Sequence, residues 1–425
     1  MRVLVVGSGG REHALCWKLR QSPLLTELYC APGNPGIAEV ADLVPIAPDE
    51  IQKLADFAKE MSIDLTVVGP ELPLTLGLAD ELEQRGLAVF GPRQRAAELE
   101  GSKVFAKEFM SRHGIPTAAF QVVHDVNEAR EAMAKFGYPV VLKADGLAAG
   151  KGVLIVGDQS QADAALKTLF EDRRFGRAAD RVVVEECLAG EELSFIALSD
   201  GERLLNFATS KDYKRIGEDD TGPNTGGMGA HSPSGVLSAE GASAVVETVM
   251  RPTIAGMAAE GRPFIGVLYA GLMLTDDGPK VLEYNVRFGD PEAQPLFMRL
   301  EDDLLPVLAS GSNGKFEVSR LHFRKAATSC IVLASADYPS DPVKGEPITG
   351  IGAARELEGV EVFHAGTALQ NGKLVTSGGR VLNVCGSGPH LKDALKLAYE
   401  AASRIQWPSK ILRRDIGRRV LTREA

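Results

Sequence analysis

At 425 residues the chain is too long for one ordinary hydrophobic core, so two to four domains are expected. A net charge of −10 on a globular composition, 44% hydrophobic and 24% charged, argues against a surface that coats nucleic acid, and no segment approaches the roughly 20 apolar residues of a membrane span. The five cysteines (Cys16, Cys30, Cys187, Cys330 and Cys385) contain no CxxC pair, which argues against a disulfide scaffold or zinc knuckle and for a soluble, cytoplasmic protein.

The opening "MRVLVVGSGG" carries one charge and a run too short for a signal peptide, and reads as a first strand. Strand signals "VLVV", "ELYC", "LVPI", "LTVV" and "LAVF" then alternate with helix signals such as "DEIQKLADFAKEM" and "LGLADELEQRG" up to about residue 100. That rhythm predicts an open parallel sheet covered by helices, with ligands at the carboxyl ends of the strands. Three loops there are rich in glycine or proline: "GSGGREH", "APGNPGI" and "VGPELPL".

Ser102 begins a new unit as the cap of a helix that ends near Gly114 and Pro116. A compact block follows: strand "FQVV", helix "VNEAREAMAKFG", strand "YPVVLKA", loop "DGLAAGKG", strand "VLIV", a helix and strand "RVVVEE". Strand-rich "ELSFIALSDGERLLNFATS" then leads into "KDYKRIGEDDTGPNTGGMGAHSP", which reads as one long functional loop. A helix and the strands "FIGVLYAGLML" and "PKVLEYNV" close the unit. From about 325, "KAATSCIVLAS", "GRVLNVCGSG" and helix "PHLKDALKLAYEAASRI" indicate a smaller α+β domain.

Three constellations carry chemistry. Lys143 ends a strand before a loop punctuated by Gly146, Gly150 and Gly152, an arrangement suited to polyphosphate because amine and bare backbone N–H groups can approach together. It is not a Walker loop, since no Ser or Thr follows the lysine, and a β-hairpin turn with a surface lysine is the plainer alternative. An apolar strand runs into Glu185 and Glu186, with Glu191 and Glu192 after a turn; these carboxylates suit an adenine amino group or ribose hydroxyls, or form a solvated acidic turn. In "VLEYNVRFGDPE", Glu283 and Asn285 share one strand face, a hard oxygen pair for Mg²⁺, with Arg287 on the same period. A polar strand face with a local ion pair is the alternative.

These three in this order, with Lys103 ahead, resemble the ATP-grasp fold. Together "VVGSGGREHAL", "PGNPGI", "GPELPLTLGLAD", "LEGSKVFAKEFM", "LKADGLAAGKGV", "DTGPNTGGMGA", "GVLYAGLM", "NVRFGDPE", "FHAGT" and "TSGGRVLNV" resemble the phosphoribosylamine–glycine ligase (glycinamide ribonucleotide synthetase) family over essentially the whole chain. The resemblance implies a multidomain α/β and α+β protein. An N-terminal open parallel sheet like that of biotin carboxylase spans 1–101, an ATP-grasp core spans 102–324 with a mobile lid at about 120–187, and a small α+β domain spans 325–425. It implies ligation of glycine to 5-phosphoribosylamine with ATP and Mg²⁺ or Mn²⁺, giving glycinamide ribonucleotide, ADP and phosphate through glycyl phosphate, in purine biosynthesis. The implied partners are these small molecules, with no nucleic acid or membrane, and the chain acts as a monomer or homodimer.

The resemblance also implies roles. Lys103 and Lys143 meet ATP phosphates under the loop from Asp145 to Gly152. Glu185, Glu186 and Leu188 line the adenine edge, largely through backbone groups, and Glu192 takes the ribose. Glu283 and Asn285 hold the metal. Arg287 stabilises the moving phosphoryl or holds the glycine carboxylate, with Asp212, Lys214 and Asp290 near glycine. Gly226 and Gly227 shape the acceptor side, and Gly9, Gly10 and Asn34 receive the ribosylamine phosphate. Two positions depart from the family pattern: Tyr213 stands where a histidine is expected and Tyr284 where a phenylalanine is. No role is assigned to an imidazole at 213, and His13 and His231 are read as structural or rim residues. Three other readings remain: a different ATP-grasp carboxylate–amine ligase, a nicotinamide-dependent oxidoreductase, or a non-catalytic nucleotide-binding regulator. The oxidoreductase fits poorly, because Glu12 stands where the dinucleotide fingerprint needs its third glycine.

Overall fold

The computed structural model describes residues 1–147, 152–172 and 176–424. Strands β1 (Arg2–Gly7), β2 (Glu27–Pro32), β3 (Asp42–Leu43), β4 (Leu65–Val68) and β5 (Val89–Phe90) form a parallel sheet in the order β3-β2-β1-β4-β5. Val3 to Val6 are fully buried, as expected for a parallel strand covered on both faces. Strand order reverses at β1, so the glycine loop after it lies at the topological switch point. The strands expected from "LVPI" and "LAVF" shrink to two residues each. In the first, Pro45 offers no N–H to continue pairing.

Helix Lys103–Arg112 is capped as expected: Ser102 Oγ accepts from Phe105 N at 3.0 Å. Beyond it, β6 (Phe120–Val123), β7 (Val140–Ala144), β8 (Val153–Val156) and β9 (Val182–Glu186) form an antiparallel sheet in the order β6-β9-β7-β8. Helices Val126–Phe136 and Gln159–Leu166 cover it and give it an apolar core of its own, which includes Ala129, Met133, Leu142, Leu166 and Val184.

The chain continues through β10 (Glu191–Asp200), β11 (Leu204–Asn206) and four short strands, β12 (Lys211–Asp212), β13 (Arg215–Gly217), β14 (Thr221–Asn224) and β15 (Gly229–Ser232). Next come β16 (Ile265–Thr275) and β17 (Gly278–Asn285), which complete the antiparallel sheet β11-β10-β16-β17. The last part supplies β18 (Ala327–Ser335), β19 (Val360–His364), the hairpin β20 (Thr367–Gln370) and β21 (Lys373–Thr376), β22 (Arg380–Gly388), helix Leu391–Arg404 and β23 (Lys410–Ile411).

One expectation is corrected here. Residues 211–233 are not a single loop: β13 and β14 pair with each other, while β12 and β15 enter the C-terminal sheet, order β12-β15-β18-β22-β19. All nine residues of β18 are buried, and β15 completes its second flank. Strand character in "GAHS" comes from that pairing rather than from local propensity. The result is the multidomain α/β and α+β architecture expected from the motifs, with cores that run from one unit to the next. One cluster joins Val3, Val5 and Leu15 to Ile196, Val267, Phe288 and Phe297.

Polar contacts also tie the first unit to the last. Asn34 Nδ2 donates to Ser8 O and His364 O, both at 2.9 Å, and its Oδ1 accepts from Gly36 N at 2.9 Å and Ile37 N at 3.0 Å. His13 Nδ1 accepts from His364 N at 2.8 Å, and the two imidazole rings lie 5.7 Å apart. Burial, with the Arg355 guanidinium nearby, holds the His364 imidazole down to about 4. Burial, His364 and Arg355 hold His13 well below its usual value. Among the described residues no helix is long and apolar enough to cross a membrane.

An unfolded histidine binds its proton near 6.5 and folded His364 only near 4, so between these values the unfolded chain holds more protons. Stability present above the upper value is therefore lost as pH falls towards the lower one, by about 3 kcal/mol for this residue. His364→Gln should lose about 2 kcal/mol less than the parent when urea unfolding at neutral pH is compared with unfolding near pH 4.5. Equal acid losses in the two proteins would rule out this linkage.

Candidate active site

One cavity of about 690 Å³ opens between the four sheets that carry the chemistry-bearing residues. Lys143, buried near the end of β7, places Nζ 2.8 Å from Leu282 O and 2.5 Å from Glu185 Oε1. The register of β16 with β17 shifts between Gly271 and Leu272, so Leu282 falls in the irregularity opposite Lys143. Lys107 meets the other oxygen of Glu185. The Glu185 carboxylate is therefore held between two lysines, and its backbone lies in β9 between β6 and β7. Glu186 Oε1 accepts from Ala119 N at 3.0 Å, while Leu188 and Glu192 stand on the cavity wall.

Lys103 Nζ donates to Gly146 O at 3.0 Å, and burial lowers its pKa. Gly146 takes φ +99°, a conformation L side chains rarely adopt. The Asp145 carboxylate joins its loop to the start of the earlier helix Lys103–Arg112: Oδ1 accepts from Ser102 Oγ at 2.9 Å and Val104 N at 3.2 Å, and Arg181 Nη2 lies 2.5 Å from Oδ2. Gly152 lines the cavity, and Gly150 lies outside the described residues.

β17 presents Glu283 and Asn285 to this space. Glu283 Oε1 is 3.3 Å from Lys214 Nζ, and Lys214, outweighing burial and helped by Lys143 and Lys103, pulls the carboxyl down to about 2. Asn285 Oδ1 accepts from Arg287 Nη2 at 2.9 Å. Among the described residues no three His, Cys, Asp or Glu side chains converge as a metal cluster. One ionised carboxylate and one amide oxygen therefore fit a hard divalent cation whose other ligands are phosphate oxygens and water, the usual habit of Mg²⁺.

Asp212 and Lys214 stand where β12 leaves the C-terminal sheet. Burial pushes Asp212 up to about 7, against the pull of Lys214. Burial works against the charge of Lys214, but Asp212, Glu283 and Glu192 raise its pKa well above the ordinary lysine value. On the opposite wall, Asp290 pairs with Arg380 Nη2 at 3.2 Å and accepts from Gln294 Nε2 at 2.8 Å. Arg380 Nη1 also donates to Gly226 O at 2.5 Å, and Tyr338 Oη accepts from Gly226 N at 2.9 Å. Gly227 takes φ +111° and donates its N–H to Thr225 Oγ1 at 3.0 Å.

Three residues expected at the ribosylamine phosphate make close contacts within the protein. Gly9 donates its N–H to Glu12 Oε2 at 2.6 Å. Gly10 is buried, and a Cβ there would fall 1.8 Å from Asn383 Nδ2. Asn34 spends its amide on the interdomain bonds described above. Tyr213, in place of the expected histidine, is buried with Oη 3.2 Å from His231 Nε2 and 2.9 Å from Gly417 N. Tyr284 buries its hydroxyl 2.6 Å from Thr253 Oγ1. His231 is buried and structural, as expected.

Sequence reasoning missed several lining residues. Arg287 Nη2 lies 3.0 Å from Glu100 Oε1, and its Nε lies 3.5 Å from Glu71 Oε2. Glu100 also accepts from Val286 N at 2.7 Å, and burial raises it to about 7 against the pull of Arg287. Glu292 Oε1 accepts from Tyr269 Oη at 2.6 Å and Ser194 Oγ at 3.1 Å. Lys107 had a usable signal, one helical turn after Lys103. Glu292, Tyr269, Arg380, Glu71 and Glu100 all lie inside motifs quoted above, but no spacing within those motifs marks them as members of the site.

A parallel-sheet domain, an antiparallel lysine-bearing unit and a sheet offering a carboxylate and an amide oxygen define an ATP-grasp protein. Solved structures share this fold at low identity. The biotin carboxylase β,γ-ATP complex of Campylobacter jejuni superposes with TM-score 0.75 at 13% identity, covering 96% of this chain and 92% of that one. The family models match in order: phosphoribosylglycinamide synthetase N domain at 1–100, its ATP-grasp (A) domain at 101–293 and its C domain at 328–419. The chain belongs to the phosphoribosylglycinamide synthetase family. It is 50% identical over 424 residues to the phosphoribosylamine–glycine ligase of Mesorhizobium japonicum, covering 100% of this chain and 99% of that protein. It is likewise 50% identical over 424 residues to that of Agrobacterium fabrum, covering all of both. The crystal structure of phosphoribosylamine–glycine ligase from Thermotoga maritima superposes with TM-score 0.84 at 36% identity, covering 98% of this chain and 100% of that one. An ATP-grasp ligase of this family uses ATP and a divalent metal on small-molecule substrates.

Arg287→Met would leave Glu100 and Glu71 without their shared cation. It should destabilise the protein by about 3–5 kcal/mol in denaturant unfolding. A loss under about 1 kcal/mol would mean that the pairs are effectively solvated.

Proposed function

We propose that the chain joins glycine to 5-phosphoribosylamine, converting ATP to ADP and phosphate and releasing glycinamide ribonucleotide, as a step of purine biosynthesis in the cytoplasm. The observation that carries this reading is the composition of the single cavity. Lys103, Lys143, Glu283 and Asn285 supply a polyphosphate end, while Arg11, Asp290, Gly226 and Arg380 supply an acceptor end within the same space.

An amine cannot expel oxide from a carboxylate, so the glycine carboxylate is first phosphorylated. The γ-phosphoryl passes to a carboxylate oxygen and ADP leaves; the ribosylamine nitrogen then attacks the acyl carbon of glycyl phosphate, loses a proton and expels phosphate. Such chemistry needs position and charge neutralisation rather than a protein nucleophile. Lys103 and Lys143 neutralise phosphate oxygens beside Asp145 and Gly146; residues 148–151 of the expected phosphate loop lie outside the described residues. Backbone groups from Glu185 to Leu188 hold adenine, and Glu192 holds ribose. Glu283 and Asn285 would hold Mg²⁺ or Mn²⁺, which when bound supplies charge neutralisation between the phosphates. Arg287 faces the reacting carboxyl, Asp212 and Asp290 serve the glycine ammonium from opposite walls, and Lys214 stands near glycine. Gly9 adjoins the acceptor wall, since a Cβ there would meet Asp290 Oδ2 at 3.3 Å, and Gly226 and Gly227 complete that wall. The unit at 120–187, with its separate apolar core, acts as a lid over ATP. The domains otherwise divide near 101 and 325, and the chain works as a monomer or homodimer.

Purified protein with Mg²⁺, glycine and chemically generated ribosylamine should form ADP only when all three are present. Folded protein that forms none would sink the proposal. Glu283→Ala should cut turnover at least about 10³-fold in protein that remains folded by its melting curve. A rate like that of the parent would remove the metal assignment.

A further inference from the structure

Lys107 has no part in the roles above, yet it is among the most constrained lysines in the molecule. Its side chain is 3% exposed, and Glu185 opposite it is 2% exposed. Nζ of Lys107 donates to Thr117 Oγ1 at 2.7 Å, and Thr117 in turn donates to Val281 O at 2.6 Å. The ring of Phe120 covers another side of the ammonium, with its centroid 5.7 Å away. Lys107 is thus committed to protein groups, and it reaches the phosphate lysine only through Glu185.

The charge count is decisive. Lys107, Lys143 and Glu185 form one buried group of two cations and one anion, with net charge +1. Without Lys107, Glu185 and Lys143 would close into a neutral pair. The nearest cation to the phosphates would then be compensated within its own side-chain contact. Water screens little at this burial, so such cancellation has a large effect. Burial lowers Lys107 to about 8 and Glu185 opposes that shift, so the ammonium remains the main form near neutral pH.

We propose that Lys107 is a positioning residue: by taking one oxygen of Glu185 it leaves the Lys143 charge available to the phosphates of ATP. The inference rests on the proposed meeting of Lys143 with those phosphates. The arrangement explains why two buried lysines serve one carboxylate next to an anion site.

Binding of a non-hydrolysable ATP analogue with Mg²⁺ to the full chain tests it by calorimetry. Lys107→Met should raise the dissociation constant at least about tenfold. It should leave KM for glycine within about twofold, as expected for a change confined to the nucleotide side. The double variant Lys107→Met/Glu185→Gln removes one charge of each sign and keeps net +1. It should bind the analogue within about threefold of the parent, because the charge facing the phosphates is restored. A double variant as weak as Lys107→Met, or a single variant like the parent, overturns the proposal. If the single variant does not fold, the double variant decides alone, with Lys143 still bonded to Leu282 O: binding near the parent's supports the proposal and a tenfold loss overturns it. Lys143→Met separates the two readings. If it leaves analogue binding unchanged, the phosphate role of Lys143 fails; if it weakens binding while Lys107→Met does not, only the present inference fails.

Discussion

The guanidinium of Arg287 is the contact on which the arrangement of the site depends. It sits two residues beyond the end of β17 and is shared by Glu100, Glu71 and the amide oxygen of Asn285. Glu71 belongs to the N-terminal unit, Glu100 to the helix Gln94–Gly101 that leads into the ATP-grasp core, and Asn285 to β17. A buried ion needs its partners in good geometry, because desolvation is too costly to leave it unmatched. This requirement fixes the distance between the parallel sheet and β17 more tightly than apolar packing alone would. Arg11 strengthens the same junction through its bond to Phe288 O at 3.0 Å.

Around that anchor the cavity is built from shared charges rather than isolated pairs. Glu185 serves two lysines, Lys214 lies 3.3 Å from Glu283 and 3.8 Å from Glu192, and Arg380 touches Asp290 and Gly226. Groups held in this way have little freedom to rotate, so the site is ordered before a substrate arrives. Phosphoryl transfer benefits directly, because its catalysis consists largely of fixed position and fixed charge.

Much of this was legible in the sequence, for identifiable reasons. The parallel sheet was readable because buried parallel strands are continuous apolar runs, as in "VLVV" and "LTVV". Lys143, Glu283 and Asn285 were readable because each lies on a strand with a clear period of two. Strands β12 and β15 were not, since they are short and glycine-flanked and exist through pairing with β18. The pairing of Arg287 was also out of reach: Glu71 and Glu100 lie inside recognised motifs, but only the docking of three segments brings them to one guanidinium. Asn34 shows a third kind of limit. Its loop was recognised, but the sequence does not reveal that the amide is used to hold His364 from a strand more than three hundred residues away.

The amino-terminal glycine loop shows how one buried carboxylate can change the meaning of a motif. Glu12 turns back into the loop, accepts from Gly9 N and meets Arg11 Nε at 2.5 Å. A Cβ at Gly7 would lie 2.5 Å from Glu12 Cγ, one at Gly9 would lie 2.8 Å from its Oε2, and one at Gly69 would lie 2.2 Å from its Oε1. These glycines are therefore required by the side chain of Glu12, which fills the space beside the loop. In a dinucleotide-binding turn the same small residues make room for a pyrophosphate. Here the helix that follows faces a negative charge already supplied by the protein, a favourable arrangement for its N-terminus. The fold keeps the strand–glycine–helix geometry of a cofactor site and uses it to carry Arg11 towards Phe288.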